Sequence, residues 1–126
     1  LEGITIGGKS LREHFEAINH KEAIEFIESM VAKDELLSEY SIKSLHALIL
    51  KNIDDKNAGS YRNINVLISG ATHRPPINIE VPSQMEAFIN WYKTEAQTLH
   101  PIERACRVHV DFVGIHPFVD GNGRTS

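Results

Sequence analysis

The chain has 126 residues, 41% of them hydrophobic and 24% charged, which is one domain's worth of sequence with ordinary globular composition. Its formal charge of -4, spread over 13 basic and 17 acidic residues, gives no general affinity for nucleic acid, and a single cysteine, Cys106, excludes an internal disulfide. No apolar run approaches the ~20 residues of a membrane span, and the start has no signal-peptide pattern, so a cytoplasmic domain without membrane contact is expected.

In chain order, Ser10 and Glu13 have capping-box spacing, with Leu11, Phe15 and Ile18 behind them on one helical face. A second helical stretch from Lys21 to Lys33 spaces Ala23, Ile24, Ile27, Met30 and Val31 alike, and Ser41 is placed to cap a third with Leu45, Leu48 and Ile49. A turn-rich run, Asp54 to Gly59, then gives way to Tyr61–Ile68, which is largely β-branched or aromatic. With Ser69-Gly70 as a turn and Thr72-His73 opening a return strand, the pattern predicts a short exposed hairpin.

Helical spacing resumes after Pro82 through Met85, Phe88, Ile89, Tyr92 and Ala96. Pro101 suits the first turn of a last long helix carrying Ile102, Ala105, Cys106, His109 and Val113, which Gly114 should end. The expected fold class is all-α with one short β-hairpin, without repeats or linkers.

The densest chemistry lies in His116-Pro117-Phe118-Val119-Asp120-Gly121-Asn122-Gly123-Arg124. An imidazole titrates near ~6.5 and can accept a proton at neutral pH. Asp120 is a hard oxygen ligand suited to Mg²⁺. Gly121 and Gly123 let backbone N–H groups approach an anion, Asn122 adds an amide, and the planar fork of Arg124 matches phosphate oxygens. A helix starting near Gly123 would add further N–H donors. Together these are parts for phosphoryl or nucleotidyl transfer to a hydroxyl.

This run resembles the signature of the Fic-domain family, H-P-F-x-[D/E]-G-N-G-R-x-x-R, and the residues Gly59-Ser60-Tyr61-Arg62, Val66 to Ile68, Gly70, His73 and Pro75-Pro76 resemble that family's target-docking flap. The similarity runs from about Gly8 to Ser126 and implies a single Fic-type helical domain, residues 1–126, cut at both ends, because the second signature arginine would follow Ser126. It implies protein adenylylation, the transfer of AMP from ATP to a Tyr, Thr or Ser hydroxyl of a target protein. By resemblance, His116 is the general base and Asp120 holds Mg²⁺. Gly121, Asn122, Gly123 and Arg124 bind the phosphates. Phe118 anchors the loop, and Tyr61, Arg62, Val66, Leu67 and Ile68 dock the target. The same loop would serve another nucleotide or phosphodiester donor, or removal of AMP, and a non-catalytic interaction module is the alternative of another class. Homo-oligomerisation is left open. The family's inhibitory motif, [S/T]-x-x-x-E-[G/N], is matched by Glu2-Gly3 only in its last two letters.

Rival signals are weaker. Gly3-Ile4-Thr5-Ile6-Gly7-Gly8-Lys9-Ser10 spells a phosphate-binding loop, but only two residues precede it and no strand–helix alternation follows, so Ser10 reads as a helix cap. His109 and Asp111 would point about 200° apart on one helix, so they form no metal pair. His109, His46, His73 and Cys106 read as core residues, although His73, in the flap, could also touch a substrate. Trp91 and Tyr92 belong to a core-facing helix, and the Glu13, Glu16, Lys21, Glu22, Glu25 cluster reads as solvated surface.

Overall fold

The computed structural model describes residues 7–126. Ser10 caps α1 (Leu11–Ala32) as expected, its Oγ accepting from the Glu13 N–H at 3.2 Å while Glu13 Oε2 accepts from the Ser10 N–H at 2.7 Å. The two helices expected before Lys33 are one, because nothing between Ile18 and Lys21 breaks the backbone ladder. Asn19, a weak helix former, is instead buried against the next helix, α2 (Glu39–Leu50). Its Nδ2 donates to the carbonyls of Ile49 at 3.0 Å and Lys51 at 2.7 Å, so α1 satisfies acceptors that α2 leaves open at its C-terminus. Ala23, Ile49 and Leu50 close the apolar contact between the two helices. The cap of α2 is Ser38 rather than Ser41, which serves as its reciprocal partner one turn later.

A long irregular segment leads to a 3-10 turn, Asn78–Glu80, and then α3 (Val81–Lys93). A second such turn, Glu95–Thr98, precedes α4 (Pro101–Ile115), and a single helical turn, α5 (Asn122–Thr125), follows the last loop. Pro101 sits in the first turn of α4, where its missing N–H costs nothing, and the His100 side chain accepts from the Ile102 N–H. The main core joins Ile42, Val81, Met85, Phe88, Ile89, Phe112, Ile115 and Phe118, drawing on α2, α3, α4 and the terminal loop. No helix among the described residues is long and apolar enough to cross a membrane.

Two expectations are corrected here. The hairpin over residues 61–73 does not form: no strand occurs among the described residues, although Ser69-Gly70 does turn, with Gly70 at φ 75°. Strand propensity depends on a partner surface, and an isolated two-stranded ribbon is marginal. Here the Arg62 guanidinium takes the carbonyls of Ile64 and Pro76, joining the two limbs by a side chain rather than a ladder. The second correction concerns α4, which continues one residue past Gly114 and turns Ile102, Cys106 and His109 to solvent. Its sequence offers two apolar stripes, and the one ending in Phe112 and Ile115 wins because Phe118 extends it, with the Phe112 and Phe118 rings 6.3 Å apart.

Candidate active site

His116 ends α4 in the left-handed conformation, φ 52° and ψ 59°, where a glycine is usual. A side chain in that region costs about 1–2 kcal/mol, so the surroundings must hold it there. Arg62 does much of this. Its Nε donates to the His116 carbonyl at 2.7 Å, its Nη2 to the Ile115 carbonyl at 3.3 Å, and its backbone N–H to the Pro117 carbonyl at 2.9 Å. Residue 118 follows as a wedge: Phe118 is 0% exposed and stacks on the His46 ring at 3.6 Å, only 6° from parallel.

The loop then closes on itself. The buried Asn122 side chain accepts from the Phe118 N–H at 2.9 Å and donates to the Phe118 carbonyl at 2.7 Å. Its amide is therefore spent inside the loop, and what it can offer an anion is its main chain. Gly121 sits at φ 79°, and a Cβ there would lie 3.4 Å from His46 Nε2, so both conformation and space call for glycine. At Gly123 a Cβ would meet nothing within 4 Å, so this position faces open space. The Thr125 N–H and hydroxyl both return to the Gly121 carbonyl.

Charge is concentrated on the outer side of this loop. Asp120 Oδ1 accepts from the Gly121 N–H at 2.7 Å, and Oδ2 from Arg12 Nη2 at 2.8 Å. Arg124 Nη2 lies 3.5 Å from the same Oδ2, while its buried Nη1 has no hydrogen bond and sits 3.5 Å from Glu16 Oε1. Glu16 also pairs with Arg12 Nε at 3.1 Å, closing a ring of alternating charges between α1 and the loop. Burial alone would raise the Asp120 carboxyl, but the Gly121 N–H, the Arg12 hydrogen bond and the two guanidinium charges hold it below the usual range. The His116 imidazole is pushed down from its ordinary value, chiefly by burial, against an upward pull from the Val113 carbonyl, with the Arg62 charge adding the smallest, downward contribution. Its Nδ1 is buried without meeting a partner in hydrogen-bond geometry, whereas Nε2 is neither buried nor bonded to protein.

The expected docking residues divide sharply. The Tyr61 ring packs against Phe118, its hydroxyl donates to Glu39 Oε1 at 2.7 Å, and burial followed by that carboxylate keeps the phenol protonated. Arg62, 3% exposed, is turned wholly inward. Val66 and Ile68 are half-buried, and Leu67 stands 76% exposed. His73 Nε2 bonds the Gly114 carbonyl at 2.8 Å, beside an open groove of about 950 Å³ lined by Ile68, Phe88, Trp91 and Val113. Residues that sequence reasoning passed over include Arg12, which it did not single out, Glu16, read as part of a solvated face, and His46, read as a core residue. His46 is buried as expected, and its two ring nitrogens meet the Asp120 carbonyl and the Gly59 N–H. Gly3 and Glu2 lie outside the described residues, and within them Gly7-Gly8 forms a turn and Ser10 a helix cap.

Among the described residues no three His, Cys, Asp or Glu side chains cluster as a complete metal site. A lone, ionised, half-exposed carboxylate instead fits a hard cation that takes its other ligands from water and substrate phosphates. The orphaned Nη1 of Arg124 is a donor suited to a phosphate oxygen.

A helical domain that seats a strained histidine, a carboxylate and an arginine on one asparagine-locked loop defines a narrow class. The chain belongs to the Fic/DOC family, whose sequence profile matches residues 36–126. It is 37% identical over 125 residues to a protein of Nematostella vectensis named protein adenylyltransferase Fic, covering 98% of this chain and 29% of that protein. The protein of the same name from Drosophila melanogaster is 35% identical, with 98% and 25% covered. Among solved structures, Fic-1 from C. elegans superposes with TM-score 0.85 at 34% identity over 98% of this chain and 37% of that one. A Fic domain containing signaling protein from Bacteroides thetaiotaomicron superposes with TM-score 0.84 at 33% identity, with 98% and 48% covered. The chain thus spans between a quarter and a third of the length of these curated relatives.

Proposed function

We propose that this domain catalyses protein adenylylation: a target hydroxyl attacks the α-phosphorus of ATP, the bond to the β-phosphate breaks, and diphosphate leaves. His116 Nε2 takes the hydroxyl proton. The reading rests above all on the conformation of His116, a non-glycine residue held left-handed by bonds from Arg62 to the carbonyls of Ile115 and His116. Such stored strain is characteristic of functional positions. A depressed basicity keeps the ring unprotonated and ready to accept at neutral pH.

Asp120 would hold Mg²⁺, which when bound neutralises charge on the phosphates and the departing diphosphate. Arg12 must then leave the carboxylate, a small cost for an exposed pair. The main-chain N–H groups of Asn122 and Gly123 and the guanidinium of Arg124 would bind phosphate oxygens, and Arg124 would exchange Glu16 for them. Leu67, with Val66 and Ile68, would lie along an extended segment of the target by main-chain pairing. Tyr61 and Arg62 support this docking from beneath rather than touching the target. The names of the relatives agree with this chemistry.

The test uses the full-length protein with ATP labelled at either the α- or the γ-phosphate. Label from the α-phosphate alone, fixed on a Tyr, Thr or Ser hydroxyl, is expected. Label from the γ-phosphate would replace adenylylation by phosphorylation, and loss of AMP from a modified target without any gain would reverse the direction of the reaction. A different mass on the target would change the donor.

A further inference from the structure

We infer that His46 is a positioning residue for the reaction proposed above, on which this inference rests: it sets where Asp120 stands and ties the docking segment to the same point. The ring lies beneath the active-site loop on α2, 0% exposed. The Gly59 N–H donates to His46 Nδ1 at 2.9 Å, so the ring's hydrogen resides on Nε2, which donates to the Asp120 carbonyl at 2.8 Å. One face stacks on Phe118 at 3.6 Å. A single imidazole thus meets the start of the 60–77 segment, the backbone of the residue read as the cation ligand, and the wedge of the loop.

Neither neighbour has slack. Gly59 is left-handed, and a Cβ on it would come within 3.1 Å of the Lys43 carbonyl, so its N–H is pressed against α2. At the Nε2 end of the ring, a Cβ on Gly121 would stand 3.4 Å from His46 Nε2. The distance between these two backbones is therefore set by the width of the ring. A side chain that merely filled the space would keep the core but let the Asp120 carbonyl drift. Displacement of a reacting group by about 1 Å is enough to cost about 100-fold in rate.

The two nitrogens can be mimicked separately, which distinguishes positioning from packing. In His46→Gln the amide nitrogen can take the place of Nε2 and donate to Asp120. In His46→Asn the amide oxygen replaces only Nδ1, and His46→Phe keeps the stack on Phe118 without either bond. The full-length variants are compared for kcat of AMP transfer, melting temperature, and Kd for ADP with Mg²⁺ by calorimetry. The expected result is that Gln stays within about 10-fold of wild type in kcat and Kd while Asn and Phe lose about 100-fold in kcat, although Phe melts highest of the three. Activity that follows melting temperature across the series, or equal losses in Asn and Gln, would overturn positioning. If ADP with Mg²⁺ binds in the order wild type and Gln over Asn and Phe while even the wild type transfers no AMP, positioning stands and the transferase reading falls. Should the variants not fold, ¹⁵N NMR of wild-type His46 decides. The account expects an Nε2-protonated ring whose Nε2 resonance moves on adding ADP with Mg²⁺, and a resonance that stays put contradicts it.

Discussion

The loop after α4 and the segment over residues 60–77 are both irregular, yet they are built in opposite ways. In the loop, Phe118 is driven into the core and Asn122 spans its backbone, so main-chain groups find partners within a few residues. In the segment, one buried guanidinium ties down the base, and beyond it Leu67 and its neighbours reach outward. Under the proposed function, placing a base and a metal ligand needs tight positional control, whereas receiving a target chain needs an open, adaptable edge. Arg62 serves both, because its remaining bonds go to the carbonyls of Ile115 and His116.

Substitutions should separate the two regions. Phe118→Ala removes the wedge of the loop and should cost about 3–5 kcal/mol of stability, measured by urea unfolding, because a buried aromatic leaves a cavity. Arg62→Met should follow at about 2–3 kcal/mol, since several buried carbonyls lose a charged donor. It should also unsettle both regions together. Hydrogen exchange that speeds up only over residues 60–77 would break the link drawn between them.

Leu67→Asp should leave stability within about 0.5 kcal/mol and raise KM for the target without changing Kd for ADP with Mg²⁺. If ADP binding weakens as well, the segment is part of the nucleotide site and the division is wrong. The smallest effect is expected from Arg12→Ala, with an unchanged melting temperature and a modestly tighter Kd for ADP with Mg²⁺, because the guanidinium no longer competes for Asp120. Weaker binding would show that Arg12 assists the nucleotide rather than standing in for the cation.

The same contrast explains what could be read before the fold was known. The loop's construction was legible because it is local: the glycine at 121, the wedge at 118 and the carboxylate at 120 lie within a single turn of chain. The Ser10–Glu13 cap was legible for the same reason. The segment misled because its pattern of Tyr61 to Ile68 looks like a strand, while the deciding residue, Arg62, works through carbonyls on α4 and near Pro76 that lie far away in sequence. A charged side chain in an exposed-looking run gives no hint that it will be buried. His46 posed the converse problem, since core burial was expected but its partners depend on two distant glycine turns. Which apolar stripe of α4 faces inward was likewise decided outside that helix, by Phe118.

The proposed function turns on His116 acting as a neutral base. Burial lowers its basicity, so the free ring should stay unprotonated to below the ordinary imidazole value of about 6.5, and the rate should fall only as pH drops beneath that. The decisive measurement is therefore the single-turnover rate of AMP transfer by the full-length protein against pH, for wild type and His116→Ala. The account predicts a wild-type acid limb below about 6.5 and a loss of at least about 100-fold at every pH in a variant that still melts cooperatively. A His116→Ala protein that transfers AMP at the wild-type rate, with the same acid limb, would contradict it.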